Sequence, residues 1–419
     1  MHSILYLRLS AMMFLQFFIW GAWYVTVGNY MKAIGMESSI FWAYTVGPVT
    51  ALISPFLLGI AADRFFATEK VFGVLHLLAG GLMFCAPLAA EGGSASVTSF
   101  ILILLLYMFC YTPTIGLSNA LVFHQIKNQE KQFPLIRVFG TIGWIVAGVL
   151  VSKVLHADET ATPLRVAAVA GVALGLFSFT LPHTPPPAAG RTVSMRSILG
   201  WDALKELSSF PFLVFMVCSL LVSVVCMPYY PYSQVFVKQS GIENPAYVLS
   251  FGQMSEALFI VLMPWFFLRL GVKWMLVGGM LAWTLRYVLF AYAAADAIFW
   301  MILVGILLHG ICYDFFFVTG FIYVDKKCSP AIRSQAQGLL VLVTVGLGNL
   351  AGAQAGGWWY NRTILEAASA HAWKVFWIVL AALSGLVTLL FVALFKNEAP
   401  GETKAPAAAE ASDVGGVRR

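Results

Sequence analysis

The chain has 419 residues, 60% hydrophobic and 11% charged, with a net charge of +6 and a mean hydropathy of +0.84. A soluble domain carries about 25% charge, so the composition excludes an ordinary water-soluble protein. Apolar runs near the ~20 residues that cross a hydrocarbon core as a helix recur from end to end. They lack the alternation of barrel strands, and inside lipid the backbone is satisfied only in helices or closed barrels.

Twelve helical spans are expected, over residues 9–30, 40–62, 71–90, 99–122, 134–155, 166–181, 210–232, 246–268, 272–293, 297–318, 331–358 and 373–394. The first carries Gln16, Trp20, Trp23 and Tyr24, with Trp20 and Tyr24 on one face. Its apolar run is too long for a signal peptide and no small-residue cleavage site follows, so it is expected to stay in the membrane. Between spans two and three lies Gly59-Ile-Ala-Ala-Asp63-Arg64. Gly59 suits close helix approach, and Asp63 suits a helix start on a facing element.

Span five places Arg137, Thr141 and Trp144 on one face. A guanidinium, a hydroxyl and an indole in line suit a ligand with oxygens at one end and a flat ring at the other. The alternative is an arginine at the membrane boundary with packing neighbours. Residues 183–209 form a polar linker with three consecutive prolines, in which Trp201, Leu204 and Leu207 predict a short surface helix. Span seven is interrupted at Cys226-Met-Pro228-Tyr229-Tyr230-Pro231-Tyr232. Its prolines kink the helix, and its tyrosines suit either a ring-bearing solute or an interfacial belt.

Span eight contains Gln253 and Glu256, three residues apart on one face, and span ten contains His309, Tyr313 and Asp314. An ionisable residue near the bilayer centre costs roughly 2.5–3.5 kcal/mol on insertion scales, so it is kept where it faces a protein interior or a wet cavity. Glu256 and Asp314 are the candidates for exchanging a proton; Gln253, Glu256, His309 and Tyr313 are candidates for holding a polar solute. The plainer reading of each is an interhelical hydrogen bond. Arg286 in span nine has no evident ligand role and is expected to pair internally or reach an interface. Residues 397–419 are rich in Ala, Gly, Pro and charge, and disorder is expected there.

On this map 17 of the 25 basic residues fall on the side of the termini and 6 on the other. The excess of positive charge inside puts both termini in the cytosol, so the net charge reflects topology and calls for no nucleic acid. The six cysteines show no CxxC spacing and read as small apolar residues, neither disulfides nor metal ligands. No phosphate loop, zinc spacing or other enzyme constellation is found. No cofactor or metal is called for, and an ion or proton gradient is the simplest energy source.

The two halves echo each other. Span five opens with Pro134-Leu-Ile-Arg137 and span eleven with Pro330-Ala-Ile-Arg333. Six spans, a cytosolic linker and six spans make the layout of the major facilitator fold. The predicted organisation is an N-terminal six-helix bundle over 1–182, the linker 183–209, a C-terminal bundle over 210–396 and the tail. The loop at Gly59, Asp63 and Arg64 resembles the signature loop of that superfamily, where it serves conformational change.

Across 9–394 the chain resembles the nucleoside:proton symporter family of that superfamily. The stretches that carry the resemblance are Gln16-Phe-Phe-Ile-Trp-Gly21, Leu58-Gly-Ile-Ala-Ala-Asp63, Arg137-Val-Phe-Gly-Thr-Ile-Gly143, Gln253-Met-Ser-Glu256, Tyr313-Asp-Phe-Phe316 and Ser329-Pro-Ala-Ile-Arg-Ser-Gln-Ala-Gln-Gly338. The resemblance implies proton-driven nucleoside import across the bacterial cytoplasmic membrane; alternating access around a central site, by a monomer, is expected. It places Arg137, Thr141, Gln253, Glu256 and Asp314 in or beside that site. It implies aromatic positions at Trp144 and Tyr313, suited to stacking on a base. The chain departs from the family on span seven, where Cys226 and Tyr229 replace side-chain amides, and at His309, which replaces an aromatic. A sugar symporter on the same scaffold is therefore a rival, and a polytopic receptor or membrane enzyme is a rival from another class.

Overall fold

The computed structural model describes residues 3–90, 95–185, 200–329, 332–367 and 371–396, with the backbone alone for 3, 55–65, 95–96 and 130. The motif residues Gly59, Asp63 and Arg64 lie on the helix Ile40–Phe65, but their side chains are outside the described residues. So are Pro330 of the second proline motif, most of the linker and the tail beyond 396.

The described residues are nearly all helical, and nine helices among them are long and apolar enough to cross a membrane. In chain order the spans are α1 (Ser3–Tyr24, resumed as Val27–Ala33), α2 (Ile40–Phe65), α3 (Thr68–Ala90), α4 (Ala95–Gln125), α5 (Gln129–Gly148) and α6 (Thr162–Ser178). Then follow α7 (Phe210–Cys226, resumed as Tyr229–Gln239), α8 (245–270) and α9 (272–293). The last three are α10 (Phe299–Leu307 onward to Lys327), α11 (Arg333–Val341 onward to Glu366) and α12 (Ala372–Leu394). Helices α8 and α9 form one run turned at Gly271, whose φ of +66° favours glycine. The short linker helix forms at Trp201–Glu206, with Ala203 and Leu207 buried and Trp201 exposed.

Several spans run further than expected. The first continues to Ala33, the seventh to Gln239, the tenth to Lys327 and the eleventh to Glu366. Pro228 kinks α7 without ending it, because its φ of −59° is helical and the second segment buries Tyr232, Val235 and Phe236. That buried face outweighs the lost backbone bond.

Within the first six spans, α1 packs on α5 and α6, and α3 on α4 and α6. Within the last six, α8 packs on α10, and α7 on α11 and α12. Small residues set these distances: a Cβ at Gly143 of α5 would lie 2.2 Å from the Phe14 carbonyl oxygen of α1. The two sets meet where α2 faces α11, α5 faces α8, and the second segments of α1 and α7 touch. Polar contacts between them gather at the end opposite the termini. There Gln234 donates to Tyr44, Asn29 to the Gln234 carbonyl (3.3 Å), and Gln354 to Thr45 (2.7 Å). Tyr360 donates to Glu37 at 2.6 Å.

Candidate functional site

An aromatic cavity opens between the two sets of helices. Tyr24 of α1 and Trp144 of α5 line one side; Tyr229, Tyr230 and Ser233 of α7, with Ser250 and Gln253 of α8, line the other. Trp144 is held by packing. A Cβ at Gly21 would sit 2.9 Å from its Cα, and Trp20 meets its ring edge-on at 5.4 Å. Tyr24 reaches across to Tyr230 with 6.1 Å between ring centres. Its lining is aromatic and apolar with a few polar groups, the composition of a small-molecule site.

Charge stands beside this slot. Arg137 of α5, Glu256 of α8 and Tyr313 of α10 act electrostatically on one another across the interface. The Arg137 guanidinium lies over the Phe17 ring at 4.0 Å, which orients it while its amino groups stay available. The Glu256 side chain is 23% exposed, and Arg137 and Thr141 are half-buried on one face of α5. Gln253, one turn before Glu256, joins this group to the cavity.

A second layer lies behind. His309 is buried, stacked on Tyr229 at 5.7 Å, with Nε2 3.7 Å from a Glu256 oxygen. Asp314 is fully buried at the start of a π turn, Asp314–Val318, and neither of its carboxylate oxygens has a partner among the described residues. It interacts electrostatically with Glu256. Neither residue lines the cavity in this conformation.

The other sequence candidates divide cleanly. Gln16 is fully buried, donating to Thr114 at 2.9 Å, and Trp23 donates to Tyr107 at 3.2 Å; both join α1 to α4. Tyr232 stacks on Tyr360 at 4.1 Å, away from the cavity. Cys226 is buried and Cys85 exposed, and all six thiols are free. Ser233 and Ser250 were not anticipated. Serines are ordinary in such helices, and only the second segment of α7 brings Ser233 to the cavity.

The nucleoside H+ symporter family matches residues 3–400. The chain is 36% identical to the putative nucleoside transporter YegT of Escherichia coli over 403 residues, 93% of each chain. It is 30% identical to the nucleoside permease NupG of the same organism over 416 residues, 93% of this chain and 96% of that one. It is also 30% identical to the xanthosine permease of that organism over 419 residues, 95% and 98% of the two chains. The crystal structure of NupG superposes with a TM-score of 0.82 at 28% identity, covering 95% of this chain and all of that one.

Proposed function

The chain belongs to the nucleoside H+ symporter family, and on that premise we propose that its symport runs through the slot between α1, α5, α7 and α8 and the charged group beside it. The carrying observation is the cavity walled by aromatic rings between α5 and α8, with half-buried Arg137 on the first helix and Glu256, three residues from the cavity residue Gln253, on the second. A nucleoside has a flat base and a hydroxyl-bearing ribose. Trp144, Tyr24, Tyr229 and Tyr230 offer faces and edges to the base, while Gln253, Glu256 and Thr141 offer donors and acceptors to the hydroxyls.

The proton enters through the cost of burying charge. An ionised carboxylate enclosed in a dry bundle is heavily penalised unless paired. While the site is open, water and Arg137 support Glu256. When the six-helix groups 1–182 and 210–396 rock and occlude the site, a proton on Glu256 removes the penalty and frees Arg137 for the solute. Asp314, whose oxygens are unpartnered, is a second proton carrier coupled to Glu256 through space. The basic excess on the side of the termini supports placing both termini in the cytosol of a bacterium. The bundle contacts opposite the termini then close the outer end, so this conformation is inward-facing.

The test is Glu256→Gln in proteoliposomes. We expect pH-gradient-driven uridine accumulation to collapse while counterflow exchange persists, because Gln keeps the hydrogen bonds and loses the titration. Wild-type accumulation in the variant would remove Glu256 from the coupling step. Competition by nucleosides against sugars reads out the solute class in the same vesicles.

A further inference from the structure

Arg286 is the most deeply buried cation among the described residues, with no exposed surface. Its Nε donates to the Gly305 carbonyl at 2.8 Å, while neither terminal amino group has a hydrogen-bond partner among the described residues. No carboxylate lies within ion-pair distance among the described residues. Its guanidinium instead rests on rings: 4.2 Å from the centre of Tyr229 and 4.5 Å from that of Trp283. A desolvated cation–π contact offsets a part of what burying the charge costs. A membrane helix that keeps such a group keeps it for a reason beyond packing.

The next ring shows the reason. Tyr229 meets both groups, with Arg286 against its ring and His309 stacked at 5.7 Å with an interplanar angle of 20°. His309 continues the series to Tyr313, 6.1 Å away at 29°. The imidazole is therefore clamped in orientation, and its Nε2 is the atom that meets Glu256. The backbone around the pair is equally fixed. A Cβ at Gly252 would come within 3.1 Å of the His309 Cβ, and one at Gly310 within 2.5 Å of the Ser255 carbonyl oxygen. Ser255 donates to the Leu307 carbonyl at 2.5 Å, fastening α8 to α10 one residue from Glu256.

We propose that His309, clamped by Tyr229 and through it by Arg286, is a positioning residue for the coupling carboxylate Glu256 and makes no contact with solute. This rests on the reading of Glu256 as the proton-exchanging group. At 3.7 Å the contact is longer than a hydrogen bond; such distances close in the loaded complex. An Nε2–H aimed at the carboxylate then holds it in one place and supports its ionised form. The charged and titratable groups that face the pair are Arg137 from α5, Tyr229 from α7, Arg286 from α9, and Tyr313 and Asp314 from α10. None of them occupies the position of the imidazole.

Uridine uptake into proteoliposomes tests this, measured across pH for wild type, Glu256→Gln, His309→Phe, His309→Gln and Tyr229→Leu. His309→Phe keeps the ring stack and removes the donor. Its uptake–pH profile is expected to move to higher pH by about one unit, with gradient-driven accumulation down roughly tenfold. The KM for counterflow exchange should stay unchanged. His309→Gln restores a donor and is expected to recover most of the profile. Tyr229→Leu removes the clamp and is expected to broaden or shift the profile, although Tyr229 never touches Glu256. A wild-type profile in His309→Phe overturns the proposal, and so does a loss confined to KM at all pH values. Normal accumulation in Glu256→Gln overturns the underlying reading instead, whatever His309 does. Thermal melts of each purified variant separate folding loss from these outcomes; should Tyr229→Leu fail to fold, the two His309 variants decide alone.

Discussion

At the residue scale, the aromatic wall has a measurable worth. Stacking a base on an aromatic side chain contributes about 1–3 kcal/mol by alanine substitution. Trp144→Ala should therefore raise the KM for uridine exchange roughly tenfold to a hundredfold, with the maximal rate less affected. Unchanged exchange kinetics would place the base elsewhere. Glu256 and Gln253 were legible in the sequence because polar groups stand out in an apolar run, and Arg137, Thr141 and Trp144 because their spacing puts them on one face. The depth of each was not legible. His309 and Tyr313 share a face by spacing, yet His309 is 2% exposed because Tyr229 and α8 cover it. Helical spacing reports which side chains share a face; it carries no information on which neighbouring helix that face meets. The same gap hid Tyr44 and Gln234, whose contact exists only once α2 and α7 come together.

At the element scale, lengths and junctions follow physical punctuation, with exceptions that have causes. Apolar run length locates every span, but polar residues interrupt the hydropathy before the ends of several: Lys32 in α1, Gln234 in α7, Asp325 in α10 and Asn361 in α11. Lys32 pairs with Glu37, and Gln234 bonds within the bundle contact, so neither needs water. The π turns at Asp314–Val318 and Leu342–Gly348 left no pattern in the sequence at all. Packing between α1 and α5 gives a sharp prediction. Gly143→Ala places a methyl 2.2 Å from a backbone oxygen of α1, which cannot rotate away. The helices must separate, and the melting temperature in detergent should fall by several degrees, consistent with ~1–3 kcal/mol of overpacking. Gly116→Ala, with open space around its Cβ, should melt like the wild type. Equal melting of the two variants would show that α1 and α5 tolerate separation.

At the scale of the whole molecule, the end opposite the termini is held by contacts that must break whenever the site opens that way. One of them titrates outside the membrane-spanning segments. Asn244 precedes α8 but does not cap it; its side chain meets His156, a residue at φ +48°. Asp158, in the α5–α6 loop, supplies the cap from across the interface. It accepts from the Ala246 N–H at 3.1 Å and from the Ser152 hydroxyl at 2.7 Å. A carboxylate at a helix start is favoured, but here burial dominates and raises the carboxyl above its ordinary value, against the pull of Ser152, Ala246 and Lys238. The folded, closed form therefore holds the proton more tightly than the solvated carboxyl does. That contribution to stability is fully present below the ordinary value of about 3.9 and is lost as pH rises through the raised one. Asp158→Asn keeps an oxygen for Ala246 and has no proton to lose. Its melting temperature relative to wild type should therefore climb as pH rises across that window and level off above it. Asp158→Ala leaves the Ala246 N–H and the Ser152 hydroxyl without their acceptor, and should lower stability by about 1–3 kcal/mol at every pH. A difference between Asp158→Asn and wild type that stays constant with pH would show that the carboxyl is solvated and that the closure at this end is insensitive to acid.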